Sequence, residues 1–333
     1  MTSPPSPAPD LPSPADVVAA SARVADHARR TPLLTSPVLD ERVGGTVLVK
    51  PECLQIGGAF KFRGALNMLA QLEPAARARG VVAWSSGNHA QGVAAAARLL
   101  GMRATIVIPR DAPAIKVQNT RRLGAEVVLY DRYTEDREAI GLAIARARGA
   151  TVVPPYDHPH IMAGQGTVAL EMIEQNPHGS LDALLVPCGG GGLTAGCALA
   201  LAGHSPGTRL YAVEPAGFDD TRRSLSSGRR EIVSGDAHTI CDALMAPSPG
   251  ELTFAINRHA LAGAFSVTDE QVFEAMAFAW RELKLVVEPG GAVALAALLS
   301  GQLDCRGQVI GVVLTGGNVD PALFAGMLAR ASA

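Results

Sequence analysis

Gly57-Gly58-Ala59-Phe60-Lys61-Phe62-Arg63-Gly64-Ala65 is the run of this 333-residue chain that says most about its architecture. A single lysine lies here in an apolar run bounded by glycines, where lysine is normally absent. Burial disfavours a charged ammonium and lowers its pKa, so we expect Lys61 to be a nucleophilic amine. A neutral amine is the group that forms a Schiff base with an aldehyde. Taken alone, the run fits a surface lysine at the start of a helix equally well.

A second run, Gly189-Gly190-Gly191-Gly192-Leu193, follows an apolar segment and precedes a helical one. Consecutive glycines let backbone N–H groups converge on one anion, and a helix N-terminus adds partial positive charge. The run therefore predicts a phosphate site, with a close packing turn as the plainer alternative. A dinucleotide-binding turn is the rival interpretation, because Glu214 ends the next predicted strand at a suitable offset, but the G-x-G-x-x-G spacing is not met.

Two polar runs follow predicted strands elsewhere in the chain. In Ser85-Ser86-Gly87-Asn88-His89-Ala90-Gln91-Gly92, polar side chains and helix N-terminal amides gather where a small carboxylate could bind. An ordinary helix N-cap is the alternative there. In Leu314-Thr315-Gly316-Gly317-Asn318-Val319-Asp320, the Thr315 hydroxyl could donate a hydrogen bond to a ring nitrogen, and a strand-ending turn is the alternative.

Short apolar segments alternate with helical ones in two blocks. Gly101, Gly124 and Gly149 end helical segments as C-terminal stop signals. The alternation predicts parallel sheets covered by helices, an α/β fold. The predicted strands are 81–85, 104–109, 126–130, 151–154, 182–188, 209–214 and 308–315, and the predicted helices are 90–100, 114–123, 134–148, 167–175, 193–202, 268–284 and 291–300.

Composition excludes several classes of protein. The formal net charge of −2 and the absence of a basic block argue against a nucleic-acid or membrane-surface partner. Five scattered cysteines without C-x-x-C or metal-ligand spacing indicate a reducing compartment, so we expect a cytoplasmic protein. The apolar runs are too short to cross a bilayer. Residues 1–14 are rich in proline and serine and are predicted to be a disordered tail.

Taken together, these runs resemble the fold-type II pyridoxal-phosphate (PLP) enzymes, specifically the threonine/serine dehydratase and serine racemase family. The matching runs occur in the family's order and spacing, and they are 58–65, 85–92, 164–167, 189–193 and 315–320. The resemblance implies two three-layer αβα domains with parallel sheets, similar to the β subunit of tryptophan synthase. It implies a large PLP-binding domain from 15–70 and 158–333, and a small domain over 71–157 that closes over the substrate.

The resemblance also implies roles for individual residues. Lys61 would form the Schiff base with PLP, and Phe60 would pack beside the ring. Asn88 would bind the ring hydroxyl, and Thr315 would face the pyridine nitrogen as a neutral partner. The PLP phosphate would be held by Gly189, Gly190, Gly191, Gly192 and Leu193.

Substrate-binding residues follow from the same resemblance. Ser86, Asn88 and His89 would receive the substrate carboxylate, and Ser86 would serve as an acid–base group on the face of PLP opposite Lys61. Arg137 falls where racemases and hydroxyaspartate dehydratases of the family carry an arginine that can face a second carboxylate. An exposed helix arginine paired with a neighbouring acid is the alternative.

A divalent cation is also implied. In metal-dependent members of the family, a Glu, a backbone carbonyl and an Asp hold the ion, and these would be Glu214, the Phe218 carbonyl and Asp220. Oxygen ligands suit Mg²⁺ or Ca²⁺. A solvated acidic loop is the alternative.

The sequence therefore predicts a cytoplasmic, homodimeric PLP-dependent dehydratase (ammonia-lyase) that converts L-threonine and L-serine to 2-keto acids and ammonia. Three alternatives stay open at this point. A 3-hydroxyaspartate dehydratase and a serine or aspartate racemase would use the same site. A dinucleotide-binding oxidoreductase would be a different class of enzyme.

Overall fold

The computed structural model describes residues 11–85, 87–112 and 114–331. Of the tail predicted over 1–14, residues 1–10 lie outside the described residues, and the first helix begins at Pro14. Ser86 also lies outside them. None of the described helices is both long enough and apolar enough to span a membrane.

Strands of the described residues form two parallel sheets, one in each of two domains. The larger sheet has the order β1-β9-β6-β7-β8, and the smaller has the order β4-β3-β2-β5. Thr46 pairs with Val309 at the start of β1, and Val81 pairs with Ala104 at the start of β2. The strands are β1 (Thr46–Pro51), β2 (Val81–Trp84), β3 (Ala104–Pro109), β4 (Glu126–Tyr130), β5 (Thr151–Val152), β6 (Ala183–Pro187), β7 (Arg209–Pro215), β8 (Leu261–Val267) and β9 (Val309–Leu314).

Helices cover both sheets. The helices are α1 (Pro14–Val24), α2 (Pro37–Val43), α3 (Lys61–Leu69), α4 (Pro74–Arg79), α5 (Asn88–Leu99), α6 (Ala114–Arg122), α7 (Arg137–Arg148), α8 (Pro159–Gln175), α9 (Gly192–His204), α10 (Asp220–Ser227), α11 (Glu251–Ala260), α12 (Asp269–Phe278), α13 (Pro289–Leu299) and α14 (Pro321–Ala331). A single π-helical turn, Ala279–Leu283, extends α12. The predicted α/β fold with parallel sheets is confirmed.

The large sheet is buried on both faces. Val47 and Val49 of β1 pack into one hydrophobic cluster, while the intervening Leu48 packs into another on the opposite face. Side chains alternate across a strand, so two clusters on alternate residues require helices on both sides. In the small sheet, α5 contributes to the cluster on one face, and Trp84 of β2 packs closely against Gly141 of α7.

Several element boundaries differ from the sequence prediction. β1 and β8, the two edge strands of the large sheet, are missing from it, because β1 contains a charged residue and β8 is only partly buried. Helix α8 begins at Pro159 rather than 167, since His158 caps it by accepting a hydrogen bond from the backbone N–H of His160. The domain boundaries at 70/71 and 157/158 remain a prediction.

A buried ionic cluster fixes helix α3, of which Lys61 is the first residue. The Arg63 guanidinium donates to Glu52 at 2.8 Å and to Glu171 at 2.7 Å. The Lys50 ammonium donates to Glu171 at 2.7 Å, so two cations face two anions. Breaking such a buried pair is strongly destabilising because it leaves an uncompensated charge. The cluster therefore ties α3 to α8, to β1 and to the turn after β1.

Glycines bring α3 still closer to α8. A Cβ atom on Gly164 of α8 would lie only 2.6 Å from the Cα atom of Gly64 in α3. The side-chain amide of Gln165 accepts a hydrogen bond from the backbone N–H of Gly64 at 3.1 Å. The predicted Gly164–Thr167 run therefore acts as the packing surface for the helix that carries Lys61.

Candidate active site

The four sequence runs meet at the carboxyl ends of β2, β6 and β9. The backbone N–H of Phe60 donates to the carbonyl of Thr315 at 3.1 Å, and that of Gly317 donates to Gly58 at 2.9 Å. A Cβ atom on Gly92 would lie 3.0 Å from the backbone of Lys61, so helix α5 passes close to the lysine. The carboxyl ends of parallel strands are where α/β proteins bind ligands.

Lys61 presents its amine to this region, and the described residues give it no acidic partner. Its Nζ donates a hydrogen bond to the carbonyl of Pro155 at 2.6 Å and lies 5.2 Å from the centroid of the Phe60 ring. Burial lowers the pKa of Lys61 to about 8. The sequence prediction of a lysine with a depressed pKa is thereby supported, and a substantial fraction of the amine is neutral near physiological pH.

The glycine run forms an open loop between β6 and α9. Gly191 has φ +89°, in the left-handed region that side chains rarely adopt. A Cβ atom on Gly190 would lie 2.4 Å from the ring of Tyr156, so the tyrosine ring stacks directly on this glycine. The backbone N–H groups of Gly189 to Gly191 donate to no other residue in the described part of the chain. The loop thus offers unused donors beside a helix N-terminus, which is the arrangement that binds phosphate.

Helix α11 holds the carbonyl side of the same loop. The Thr253 hydroxyl donates to the Gly190 carbonyl at 2.7 Å, and the Asn257 amide donates to the Gly191 carbonyl at 3.2 Å. Asp157 accepts hydrogen bonds from backbone N–H groups at the start of α11, including that of Thr253 at 3.0 Å. The carbonyls are engaged by α11, whereas the N–H groups of Gly189 to Gly191 have no partner among the described residues and are left for a ligand.

Asn88 lies at the centre of a side-chain network. Its Oδ1 accepts from Asn318 Nδ2 at 2.7 Å, and Asn318 Nδ2 also donates to the carbonyl of Gly57 at 2.7 Å. Its Nδ2 donates to the buried carboxyl of Glu288. Burial and the negative charge of Asp242 raise the pKa of Glu288 to about 7, although the hydrogen bond from Asn88 opposes this.

Thr315 follows β9 and is 4% exposed. Its backbone N–H donates to the carbonyl of Gly291 at 3.3 Å, in the first turn of α13. Its hydroxyl makes no hydrogen bond to another residue within 11–85, 87–112 or 114–331. A neutral hydroxyl is therefore available at this end of the site, and its contact with a ring nitrogen stays a prediction.

The His89 side chain is buried and already hydrogen-bonded within the protein. Its Nε2 lies 2.9 Å from the carbonyl of Val153, and a carbonyl only accepts, so Nε2 carries the hydrogen. Burial and the nearby charge of Lys61 lower the pKa of His89 to about 3, so the ring is neutral. The imidazole is thus hydrogen-bonded to the segment that follows β5. The groups of helix α5 that stay available are the backbone N–H groups of its first turn.

Arg137 begins helix α7 and is exposed. Its positive charge lowers the pKa of Tyr156, against the larger effects of burial and Asp157, which raise it. Among the described residues no carboxylate lies within ion-pair distance of Arg137. The predicted alternative, a helix arginine paired with a neighbouring acid, therefore finds no support.

Two buried acids lie at the predicted cation position. The Glu214 carboxyl accepts from the backbone N–H groups of Thr221 at 2.9 Å and Arg222 at 2.8 Å. Burial and the neighbouring Asp220 raise the pKa of Glu214 to about 8, and burial raises that of Asp220 to about 7. Asp220 Oδ2 is buried without a hydrogen-bond partner. The described residues contain no cluster of three or more His, Cys, Asp or Glu side chains suited to a metal.

The site as a whole fits a phosphorylated aldehyde. A partly neutral amine at Lys61 can attack the carbonyl carbon, the 189–192 loop offers backbone donors for a phosphate, and Thr315 offers a neutral hydroxyl. These three features are the ones that a lysine-bound aldehyde cofactor with a phosphate group requires.

Comparison with known proteins agrees. The model of the family described as pyridoxal-phosphate dependent enzyme matches residues 24–316. The chain is 49% identical over 313 residues to the L-threo-3-hydroxyaspartate ammonia-lyase of Pseudomonas sp, which covers 94% of this chain and 97% of that protein. It is 43% identical over 318 residues to the Saccharomyces cerevisiae protein of the same name, covering 96% and 97%. The structure of maize serine racemase matches with a TM-score of 0.90 at 38% identity, covering 97% and 99%.

The chain therefore belongs to the family of pyridoxal-phosphate-dependent enzymes, and the resemblance noted in its sequence is confirmed. The cofactor of this family is PLP, so the match favours PLP over the dinucleotide considered in the sequence analysis.

Several residues around the site escaped the sequence analysis. These are Thr253 and Asn257, which hold the glycine loop, and Glu288, which binds Asn88. Only Glu288 carried a local signal, an acid directly before Pro289-Gly290-Gly291 at a helix start. The others come from distant parts of the chain and have no pattern of their own.

Proposed function

We propose that this chain is a PLP-dependent ammonia-lyase whose substrate is 3-hydroxyaspartate, converted to a 2-keto acid and ammonia. Similarity to two proteins named L-threo-3-hydroxyaspartate ammonia-lyase, at 49% and 43% identity, carries the proposal. This was the alternative in the sequence analysis, and it is better supported than L-threonine or L-serine.

Arg137 is the structural feature that agrees with this substrate. 3-Hydroxyaspartate has a second carboxylate, which needs a charged partner when it leaves water. Arginine suits this task because its planar fork binds a carboxylate bidentately. Arg137 has no acidic partner in the described part of the chain, and its charge acts on Tyr156, which stacks on the glycine loop.

Each residue predicted to hold PLP has a proposed role. Lys61 would bind it covalently, Phe60 would pack beside its ring, Asn88 would contact its hydroxyl, and Thr315 would face its nitrogen. The phosphate would be held by Gly189, Gly190, Gly191, Gly192 and Leu193. When bound, PLP supplies an electron-withdrawing system that stabilises negative charge at the substrate α-carbon.

Proton transfers are then the work of this chain's side chains. The Lys61 amine, with its pKa lowered to about 8, can take the α-proton and return a proton to the leaving hydroxyl. The N-terminal backbone N–H groups of α5, with Asn88, would hold the substrate α-carboxylate. Ser86, which lies outside the described residues, would serve as the acid–base group on the opposite face.

A divalent cation is proposed at Glu214, the Phe218 carbonyl and Asp220. Two buried acids with raised pKa values and an unpartnered Asp220 oxygen fit a bound cation, because a cation would compensate both charges. Oxygen ligands favour Mg²⁺ or Ca²⁺. A homodimeric assembly and a cytoplasmic location also remain predictions.

Ammonia release measured with both enantiomers of threonine and serine and all four stereoisomers of 3-hydroxyaspartate tests the substrate. We expect the highest kcat/KM with an L-configured 3-hydroxyaspartate. A higher kcat/KM with threonine or serine would restore the main prediction from the sequence.

Racemisation is the second candidate activity, because the fold matches maize serine racemase closely. Chiral analysis of the same reactions distinguishes it. Accumulation of a D-amino acid in excess of 2-keto acid would show that racemisation is the principal reaction.

A further inference from the structure

Glu288 is a buried carboxyl that lies beside the proposed cofactor residues without having a role in the scheme above. It is 2% exposed and occupies the N-cap of α13. A Cβ atom on Gly316 would lie 2.0 Å from its Oε1, so the carboxyl passes directly over the turn that follows β9. It accepts a hydrogen bond from Asn88 Nδ2, and the backbone N–H of Asn318 acts to lower its pKa.

These contacts determine which way the Asn88 amide points. A carboxylate only accepts hydrogen bonds, so Asn88 must direct its NH₂ group toward Glu288. Its Oδ1 then accepts from Asn318 Nδ2 at 2.7 Å. The reversed amide would place oxygen against a carboxylate and one NH₂ group against another. The amide therefore has one satisfied orientation, in which one Nδ2 hydrogen binds Glu288 and the other is left over.

We propose that Glu288 is a positioning residue for the cofactor, whose carboxylate holds the Asn88 amide so that the remaining Nδ2 hydrogen can serve the cofactor. The inference rests on the proposed role of Asn88 in holding PLP and does not depend on which amino acid is the substrate.

The charge of Glu288 is set by its surroundings. Burial and Asp242 raise its pKa to about 7, while Asn88, Lys116 and the Asn318 backbone N–H act to lower it. Lys116 is itself ion-paired to Asp242. Near neutral pH the carboxyl therefore takes up a proton and becomes a donor, which removes the reason for the Asn88 orientation. Cofactor affinity should fall as pH decreases through about 7.

The test is a titration of the cofactor-free protein with PLP, followed by absorbance, from about pH 5.5 to about pH 8.5. Glu288→Gln keeps the size of the side chain and an acceptor oxygen but cannot ionise. The parent should lose roughly tenfold in affinity per pH unit below the Glu288 transition, relative to Glu288→Gln. Lys61 and the PLP phosphate titrate in both proteins, so the ratio of the two affinities isolates Glu288. Parallel pH profiles would overturn the proposal.

Asp242→Asn is a second test that leaves the buried carboxyl in place. It removes the charge that raises the Glu288 pKa and frees Lys116, and both changes favour the carboxylate. The transition in cofactor affinity should move to lower pH, and an unchanged transition would contradict the proposal.

Asn88→Ala distinguishes the proposed role of Asn88 from the proposed role of Glu288. Full cofactor affinity in that variant would overturn both the role of Asn88 and this inference, whereas weakened affinity with parallel Glu288→Gln profiles would overturn the inference alone.

Discussion

The Nζ atom of Lys61 lies 2.6 Å from the carbonyl oxygen of Pro155, and the adjacent Tyr156 stacks on Gly190. One short segment after β5 therefore touches both the amine proposed to bind an aldehyde and the loop proposed to bind a phosphate. In the proposed site these two groups would bind opposite sides of one small cofactor, which requires that they be held at a fixed separation. The segment 155–156 connects them directly.

Lys61→Ala should abolish activity while the fold survives. The substitution removes both the nucleophile and the acid–base group, and loss of a positioned acid–base group alone costs roughly 10²–10⁴-fold. Borohydride trapping followed by mass spectrometry measures covalent PLP attachment. Lys61→Arg is the control, since it keeps the positive charge without a usable nucleophile. Neither variant should be covalently labelled by PLP at position 61. Covalent PLP trapped in either variant would contradict the assignment.

Gly190→Ala should weaken PLP binding and destabilise the protein. The new methyl group would lie 2.4 Å from the Tyr156 ring, and overpacking of this kind costs roughly 1–3 kcal/mol. Thermal unfolding and PLP titration measure the two effects. Gly207→Ala is the matched control, because no atom lies within 4 Å of its Cβ position. Adding Tyr156→Ala to Gly190→Ala should recover part of the lost stability, and no recovery would show that the clash lies elsewhere.

Arg137→Ala should reduce kcat/KM for 3-hydroxyaspartate and leave threonine and serine nearly unchanged. Arg137 is exposed in the structure, and only 3-hydroxyaspartate has the second carboxylate. Once binding has buried these two charges against each other, removing one of them costs roughly 2–5 kcal/mol. Arg146→Ala, on the same helix and exposed, is the control. Equal losses with all three substrates would mean that Arg137 does not recognise the second carboxylate.

Mg²⁺ or Ca²⁺ should stabilise the protein more at high pH than at low pH. The folded-state pKa values of Glu214 and Asp220, about 8 and about 7, lie above those of free carboxyls. The folded state therefore binds more protons than the unfolded state, and stability falls as pH rises from about 4 through about 8. A cation replaces those protons and offsets the loss.

Melting temperatures measured with and without the cation, near pH 6 and above pH 8, check this expectation. At a hundredfold excess over Kd a ligand adds about 2.7 kcal/mol. Asp220→Asn should remove most of the cation effect. A melting temperature independent of cation at both pH values would favour the solvated acidic loop.

The sequence by itself determined the fold class and singled out the candidate site residues. Alternating apolar and helical segments predicted parallel sheets. This was possible because the spacing of apolar residues and the glycines that end helices are local properties of the chain. Lys61 and the 189–192 run could be recognised because their residue types are unusual in their surroundings: a lysine in an apolar run and four glycines in a row. The edge strands β1 and β8 were missed, since β1 contains a charged residue and β8 is only partly buried.

Only the tertiary structure decided how the site is supported. Asn88 and Glu288 are 200 residues apart and meet because α5 and α13 both begin at the same ligand-binding edge. Tyr156 reaches Gly190, and Asn257 reaches Gly191 across 66 residues of the chain. Such contacts depend on packing between elements, and no local pattern specifies them. The depressed pKa of Lys61 needed only an apolar run to be foreseen, whereas the raised pKa of Glu288 depends on distant Asp242 and on burial that folding creates.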